Sequence, residues 1–125
     1  MRIERNRFES MVRGTIRSVI DALPEDLRER AREVIFEIAD RPTREQAERE
    51  GADDLLGLYE GTSLIDRHID FPPVSPDRIY IFRIPLMEMC RDERELRSEV
   101  RITVIHELGH YFGFDEPDLE RLGLL

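Results

Sequence analysis

One apolar segment near the end of the chain constrains the fold more than any other feature. Residues 104–116 read VIHELGHYFGFDE, so two histidines and a glutamate lie in the most hydrophobic part of a 125-residue chain. An unpaired histidine–glutamate set inside an apolar helix would cost several kcal/mol. Asp92 and Gly113 are typical helix-capping residues, and they predict one long helix from about Glu93 to Phe112.

The spacing of the two histidines predicts a metal site. His106 and His110 are four residues apart, which places both imidazoles on one face of the helix, where they can bind a single ion. Glu107 is too close in sequence to His106 to share the metal shell comfortably, but it can reach a metal-bound water and accept its proton. This is the HExxH arrangement. We therefore expect one Zn²⁺ per chain, with Glu107 as the general base.

The third ligand is expected among the acids that follow the helix. A catalytic zinc usually has three protein ligands and one open position. Only fifteen residues follow His110, so the ligand is expected nearby in the sequence or upstream of the motif. Gly113 permits a sharp reversal that returns the next residues toward the histidines. Glu116 is the preferred ligand. Asp115 and Asp118 are alternatives, although Asp115 also suits a helix N-cap and Asp118 a first-turn acid.

The rest of the chain predicts helices separated by few strands. Apolar periodicity and capping signals predict four further helical segments: 6–22, a polar helix from Thr43 to Glu50, a short helix from Pro85 to Met89, and a last turn from Pro117 to Leu122. Pro24 either ends the first of these or opens another short helix, Pro24–Arg30. Alternating residues predict a strand around 34–38 and a clear strand at Arg78–Arg83. Loops with one short strand near Thr62–Asp66 are expected between Gly51 and Pro76. This order indicates an α+β fold, in one domain spanning residues 1–125.

Composition excludes several classes of protein. The formal net charge of −9 should repel nucleic acid and anionic membranes. No apolar run approaches the roughly 18 residues that span a bilayer, and the N-terminus MRIERNRFES lacks the apolar core of a secretory signal. We therefore expect a cytoplasmic location. Cys90 is the only cysteine, which excludes an intrachain disulfide; we expect it to be a small apolar residue.

Three segments of the sequence resemble the zincin metallopeptidases, and more closely the small bacterial family of minimal zincins. They are LLGLYEG at 55–61, PDRIYIFRIPL at 76–86 and EVRITVIHELGHYFGFDEPDLERLG at 99–123. The resemblance implies a minimal zincin-like core, with a small mixed sheet packed against the long HExxH helix. It also implies His106, His110 and the acid at 116 as zinc ligands and Glu107 as the base, in a HExxHxxGxxE pattern. The metzincins differ in having a histidine as third ligand and a methionine turn after the motif.

The function that we expect is zinc-dependent hydrolysis of peptide bonds in a peptide or protein substrate. Glu107 would pass the proton of the metal-activated water to the leaving amine. A substrate could lie in extended form along an exposed strand, either Thr62–Asp66 or Arg78–Arg83. The alternative is a metal-binding interaction module that binds peptides or proteins with little or no turnover. A third hypothesis is an acidic surface that docks a basic partner.

Several other residues are weaker candidates for the site. Tyr59, Tyr80 and Tyr111 could each assist the developing oxyanion, although tyrosines are more often half-buried packing residues. His68 lies in a segment that we expect to border the cleft, where a surface histidine is the simpler interpretation.

Overall fold

The computed structural model describes residues 1–67 and 76–124. Within these ranges the chain forms six helices, three strands and one 3-10 turn: α1 Arg5–Asp21, α2 Glu25–Ala31, β1 Ile35–Ala39, α3 Arg44–Glu50, β2 Gly57–Glu60, the 3-10 turn Leu64–Asp66, β3 Arg78–Phe82, α4 Arg83–Met89, α5 Glu93–Phe112 and α6 Glu116–Arg121. The small sheet and the surrounding helices confirm the predicted α+β class. No helix in this part of the chain combines the length and apolarity needed to cross a bilayer.

The sheet is mixed, and β3 is its central strand. β1 pairs with β3 in parallel and β2 pairs with β3 antiparallel, in the order β1-β3-β2. The Phe82 N–H donates to the Leu56 carbonyl at 2.9 Å. Because hydrogen-bonded pairs alternate along an antiparallel ladder, Leu58 also bonds to β3, whereas the main-chain groups of Gly57 and Tyr59 point away from it. The free edge of β2 therefore presents Gly57 and Tyr59.

The helix that carries the histidine pattern packs between α1 and the sheet. α5 contacts α1 on one side and both β2 and β3 on the other. α1 buries apolar residues spaced three and four apart, as expected for an amphipathic helix: Phe8, Met11, Val12, Ile16, Val19 and Ile20. Ile79 and Ile81 of β3 are fully buried. The core therefore fixes α5 from Leu96 to Phe112.

Local capping explains where α5 begins and ends. The Asp92 side chain accepts a hydrogen bond from the Glu95 N–H at 2.8 Å. At the other end Gly113 adopts a φ of 84°, and the Phe114 N–H donates to the Gly109 carbonyl at 2.8 Å. This is a Schellman-type ending, which reverses the chain. The predicted bounds of α5 and the predicted reversal at Gly113 are both confirmed.

The prediction of a strand at Thr62–Asp66 is wrong. The strand lies earlier, at Gly57–Glu60, and Leu64–Asp66 forms the 3-10 turn. Glycine is disfavoured in strands, but at position 57 it is required by packing, since a Cβ there would lie 2.6 Å from Thr103 Cγ2 of α5. The predicted strand at Arg78–Arg83 is confirmed as β3. As the central strand, β3 has partners on both sides, so it offers no free edge to a peptide.

Candidate metal centre

The two histidines lie on successive turns of α5 and face outward. Their ring centroids are 5.3 Å apart, with an angle of 67° between the ring planes. The side chains of His106 and His110 are 40% and 56% exposed, whereas Ile105 and Leu108 beside them are buried. Both imidazoles are therefore open on the same side of the helix, as the four-residue spacing requires.

Glu116 is the acid that the reversal at Gly113 brings toward this pair. Its Oε1 lies 4.0 Å from Nδ1 of His106, and its side chain is exposed. Two ligands of a tetrahedral zinc ion lie roughly 3.4 Å apart when each bond is about 2.0–2.1 Å long. Small rotations of exposed side chains would therefore bring the two groups to ligand spacing.

The two alternative acids are engaged elsewhere. Asp115 accepts a hydrogen bond from the Asp118 N–H at 2.9 Å, and Asp118 accepts one from the Asp115 N–H at 3.0 Å. This reciprocal capping box holds the first turn of α6. Asp118 also forms an ion pair with Arg121. Both carboxylates thus have local roles, which leaves Glu116 as the acid directed at a histidine.

The donor set suits zinc, although the side chains are not drawn together as tightly as bound ligands. In the described ranges, no three His, Cys, Asp or Glu side chains form a ready-made metal cluster. Two imidazoles and one carboxylate are nevertheless a ligand set that catalytic zinc sites use. His106, His110 and Glu116 are all accessible at the C-terminal end of α5. The chemistry of these residues therefore fits a zinc ion.

Glu107 occupies a different environment from the three exposed groups. Its side chain is only 11% exposed, and its Oε1 lies 3.6 Å from Nδ1 of His110, which is too long for a hydrogen bond. The main-chain N–H of Tyr59 donates to Oε1 at 2.9 Å. Burial raises the pKa of the Glu107 carboxyl, and the hydrogen bond from Tyr59 and the charge of His106 act in the opposite direction. The carboxylate is thus held between β2 and the histidines.

Two glycines allow this close assembly. A Cβ at Gly57 would also lie 3.3 Å from Cγ of Glu107, so β2 can approach the helix only with glycine there. At Gly113 a Cβ would lie 2.5 Å from Cγ1 of Ile65, which covers the end of α5 from the 3-10 turn. Sequence reasoning missed both contacts and the Tyr59–Glu107 hydrogen bond, because each joins segments far apart in the chain.

The weaker candidates have structural partners. The Tyr111 hydroxyl donates to the Arg30 carbonyl at 3.1 Å, and the Tyr59 hydroxyl donates to Oδ1 of Asp77 at 2.6 Å. The ring of Tyr80 stacks on Phe82. Cys90 is buried at the C-terminal end of α4, which agrees with the expected small apolar residue. The prediction for His68 lies outside the described residues.

A known family of proteins matches the larger part of the chain. A sequence model of the zincin-like metallopeptidases matches residues 31–124, which include every element from β1 to α6 and therefore the whole candidate centre. No curated protein matches the chain. Since the family match covers well over half of the 125 residues, the chain belongs to the zincin-like metallopeptidase family.

Proposed function

We propose that this protein is a zinc-dependent peptidase in which His106, His110 and Glu116 bind one Zn²⁺ and Glu107 is the general base. The observation that carries the proposal is the approach of Glu116 to the histidine pair, directly beside a buried carboxylate. Membership of the zincin-like metallopeptidases supports zinc binding and peptide hydrolysis in general terms.

The zinc ion and Glu107 have different roles in the proposed reaction. Bound zinc supplies Lewis acidity, which polarises the scissile carbonyl and lowers the pKa of water toward neutrality. Because Oε1 of Glu107 accepts the Tyr59 N–H, the other carboxylate oxygen, Oε2, is available to take the proton of the attacking water. The same oxygen then delivers the proton to the leaving amine. The low exposure of Glu107 keeps bulk water from competing for that proton.

The free edge of β2 is the proposed place for the substrate. The main-chain groups of Gly57 and the carbonyl of Tyr59 point away from β3, so an extended peptide can add to this edge by β-augmentation. A depression of about 410 Å³ adjoins the end of β2 and can receive a substrate side chain; it is lined by Arg49, Glu50, Tyr59, Glu60 and Gly61. The substrate is therefore a peptide or protein segment in extended form.

The variant Glu107→Gln tests the proposal. Glutamine has the same shape and its carbonyl oxygen can still accept the Tyr59 N–H, but it cannot take a proton at neutral pH. We expect zinc-loaded wild-type protein to cleave members of a broad peptide library. Glu107→Gln should lose at least about 10²-fold in rate, the usual contribution of a general base, while it retains one zinc per chain.

Glu120→Gln is the matched control, because Glu120 is an exposed acid on α6, and it should leave both the rate and the zinc content unchanged. If zinc-loaded wild-type protein cleaves no peptide in the library, the peptidase proposal is wrong and the metal-binding interaction module replaces it.

A further inference from the structure

We infer that Asp77 and Arg67 are positioning residues that act on Glu107 through Tyr59. The inference rests on the proposed function, in which Glu107 is the general base. Tyr59 connects Glu107 to Asp77, because its main-chain N–H donates to Glu107 and its hydroxyl donates to Asp77.

Asp77, Arg67 and Tyr59 form one polar cluster, called here the Asp77 cluster. Oδ1 of Asp77 accepts the Tyr59 hydroxyl at 2.6 Å, and Oδ2 accepts Nη2 of Arg67 at 2.5 Å. Arg67 also donates through Nε to the Thr62 carbonyl at 3.0 Å. The cluster therefore ties together the end of β2, the segment after the 3-10 turn and the residue that precedes β3.

Burial makes this cluster more than a surface ion pair. The side chains of Asp77 and Arg67 are only 12% and 22% exposed, and solvent therefore competes little for their hydrogen bonds. Burial, and then the hydrogen bond to Asp77, raise the pKa of Tyr59 far above its ordinary value. The Tyr59 hydroxyl therefore stays protonated and keeps donating to Asp77 over the whole physiological pH range.

The cluster is also fixed to the helix that carries Glu107. The ring of Tyr59 lies 5.8 Å from the ring of Tyr111, and the Arg67 guanidinium lies 5.7 Å above the same Tyr111 ring. Tyr111 is four residues after Glu107, so the two share one face of α5. Tyr59 thus contacts two successive turns of that face, one through its ring and one through its N–H.

The chain turns tightly around the cluster. A Cβ at Gly61 would lie 2.5 Å from Oδ1 of Asp77 and 2.6 Å from the Tyr59 hydroxyl oxygen. With the side chain of Tyr59 held at its hydroxyl, the last residues of β2 cannot move away from α5. The N–H of Tyr59 is therefore kept aimed at Oε1 of Glu107, which leaves Oε2 free for the reacting proton.

Amide hydrogen exchange of the 125-residue chain tests this inference without an activity assay. Asp77→Asn removes the charge that pairs with Arg67, and Tyr59→Phe removes the hydroxyl. In both variants the Tyr59 amide should exchange about tenfold faster. The amides of Leu58 and Tyr80, which bond across the β2–β3 ladder, should exchange at the wild-type rate.

Two further variants separate positioning from general loss of stability. Arg67→Gln should accelerate exchange of the Tyr59 amide. Arg67→Lys keeps the positive charge and should therefore retain much of the wild-type protection of that amide. Asp40→Asn is the matched control, because Asp40 also accepts a hydrogen bond from an arginine, Arg83, at 2.9 Å; it should leave Tyr59 exchange unchanged. The inference is overturned if the Tyr59 amide exchanges at the wild-type rate in both Asp77→Asn and Tyr59→Phe. It is also overturned if the amides of Leu58 and Tyr80 exchange faster by the same factor as that of Tyr59.

Kinetics provide the functional readout. With a cleaved peptide in hand, Asp77→Asn should lower kcat about tenfold, leave KM within roughly twofold and keep one zinc per chain. Unchanged kcat together with accelerated Tyr59 exchange would overturn the positioning role. If the wild-type protein cleaves no peptide, the proposed function fails, whereas the exchange experiment still decides whether the Asp77 cluster holds Tyr59 against Glu107.

Discussion

Gly113 sets the direction of the chain after α5. Its positive φ allows the Schellman-type ending, and the absence of a side chain allows Ile65 to pack over the end of the helix. The reversal is what returns Glu116 toward His106. A single residue therefore links the end of the helix to the geometry of the proposed zinc site.

Gly113→Ala should weaken both the fold and the site. A left-handed conformation costs a non-glycine residue about 1–2 kcal/mol, and the new Cβ would also displace Ile65. We expect a lower free energy of unfolding in urea and a weaker zinc affinity by competition with a chelating dye. Gly51→Ala is the control, because Gly51 has a φ of 70° with nothing within 4 Å of the added Cβ. It should lose only the conformational part of that stability and keep its zinc affinity, and equal zinc losses in both variants would contradict this account.

Two of the acids near Gly113, Glu116 and Asp118, can be separated by their effects on zinc. Glu116→Gln should weaken zinc binding by more than about 100-fold, since removing a group that only orients a ligand already costs about 10–100-fold. Asp118→Asn should mainly loosen the capping box of α6, with a smaller effect on zinc. Isothermal titration with Zn²⁺ measures both variants. A larger loss of zinc affinity for Asp118→Asn than for Glu116→Gln would show that Asp118, and not Glu116, is the ligand.

At the scale of elements, the sequence predicts best what is determined locally. The bounds of α5 follow from Asp92 and Gly113, whose capping preferences act within a few residues. β2 is different, because Gly57 is a poor strand residue and its position is explained only by contact with α5. The Asp77 cluster joins three separate segments, so no periodicity or spacing in the sequence indicates it.

α6 holds Glu116, and it packs on α5 through Leu119. Leu119 is buried, and a Cβ at Gly109 would lie 3.0 Å from its Cδ1, so the two helices are in close contact. Leu119→Ala should detach α6 and weaken zinc binding severalfold, because Glu116 would then have to be ordered on binding. Zinc titration measures the effect. Leu122→Ala, at an exposed position just beyond α6, should have little effect, and unchanged zinc affinity in Leu119→Ala would show that docking of α6 is unimportant.

At the scale of the whole molecule, ion pairs join distant elements of a strongly acidic chain. Asp40 follows β1 and forms ion pairs with Arg5 of α1 and with Arg83 of α4. The hydrogen bond from Arg83 is the main reason why the pKa of Asp40 lies below its ordinary value. Because the folded-state pKa is lowered, these pairs stabilise the protein above the unfolded-state value of about 3.9 and are lost as the pH falls through the folded-state pKa.

Asp40→Asn should therefore destabilise the protein in a pH-dependent way. At pH 7 we expect a loss below about 1 kcal/mol, because the carboxylate is partly exposed. At an acidic pH below the folded-state pKa the carboxyl is protonated in both states, so the variant and the wild type should have the same stability relative to their denatured states. Urea unfolding at the two pH values measures the difference. An equal loss of unfolding free energy at both pH values would mean that packing, and not charge, is responsible.

The buried cluster includes residues from α1, β3, α5 and α6, so the candidate centre rests on the same core as the rest of the described chain.

The predictions of one domain over residues 1–125, of a cytoplasmic location and of no binding to nucleic acid or membranes stay predictions. The expected zinc ion requires the spacing of His106 and His110, the ending of α5 at Gly113 and the docking of α6.

Elemental analysis of protein purified without chelator tests the central claim most directly. We predict one zinc per chain in the wild type and none in His110→Ala, with an unchanged circular dichroism spectrum because His110 is exposed. A wild-type protein without zinc, or a His110→Ala variant that retains it, would contradict the claim that these histidines form a zinc site.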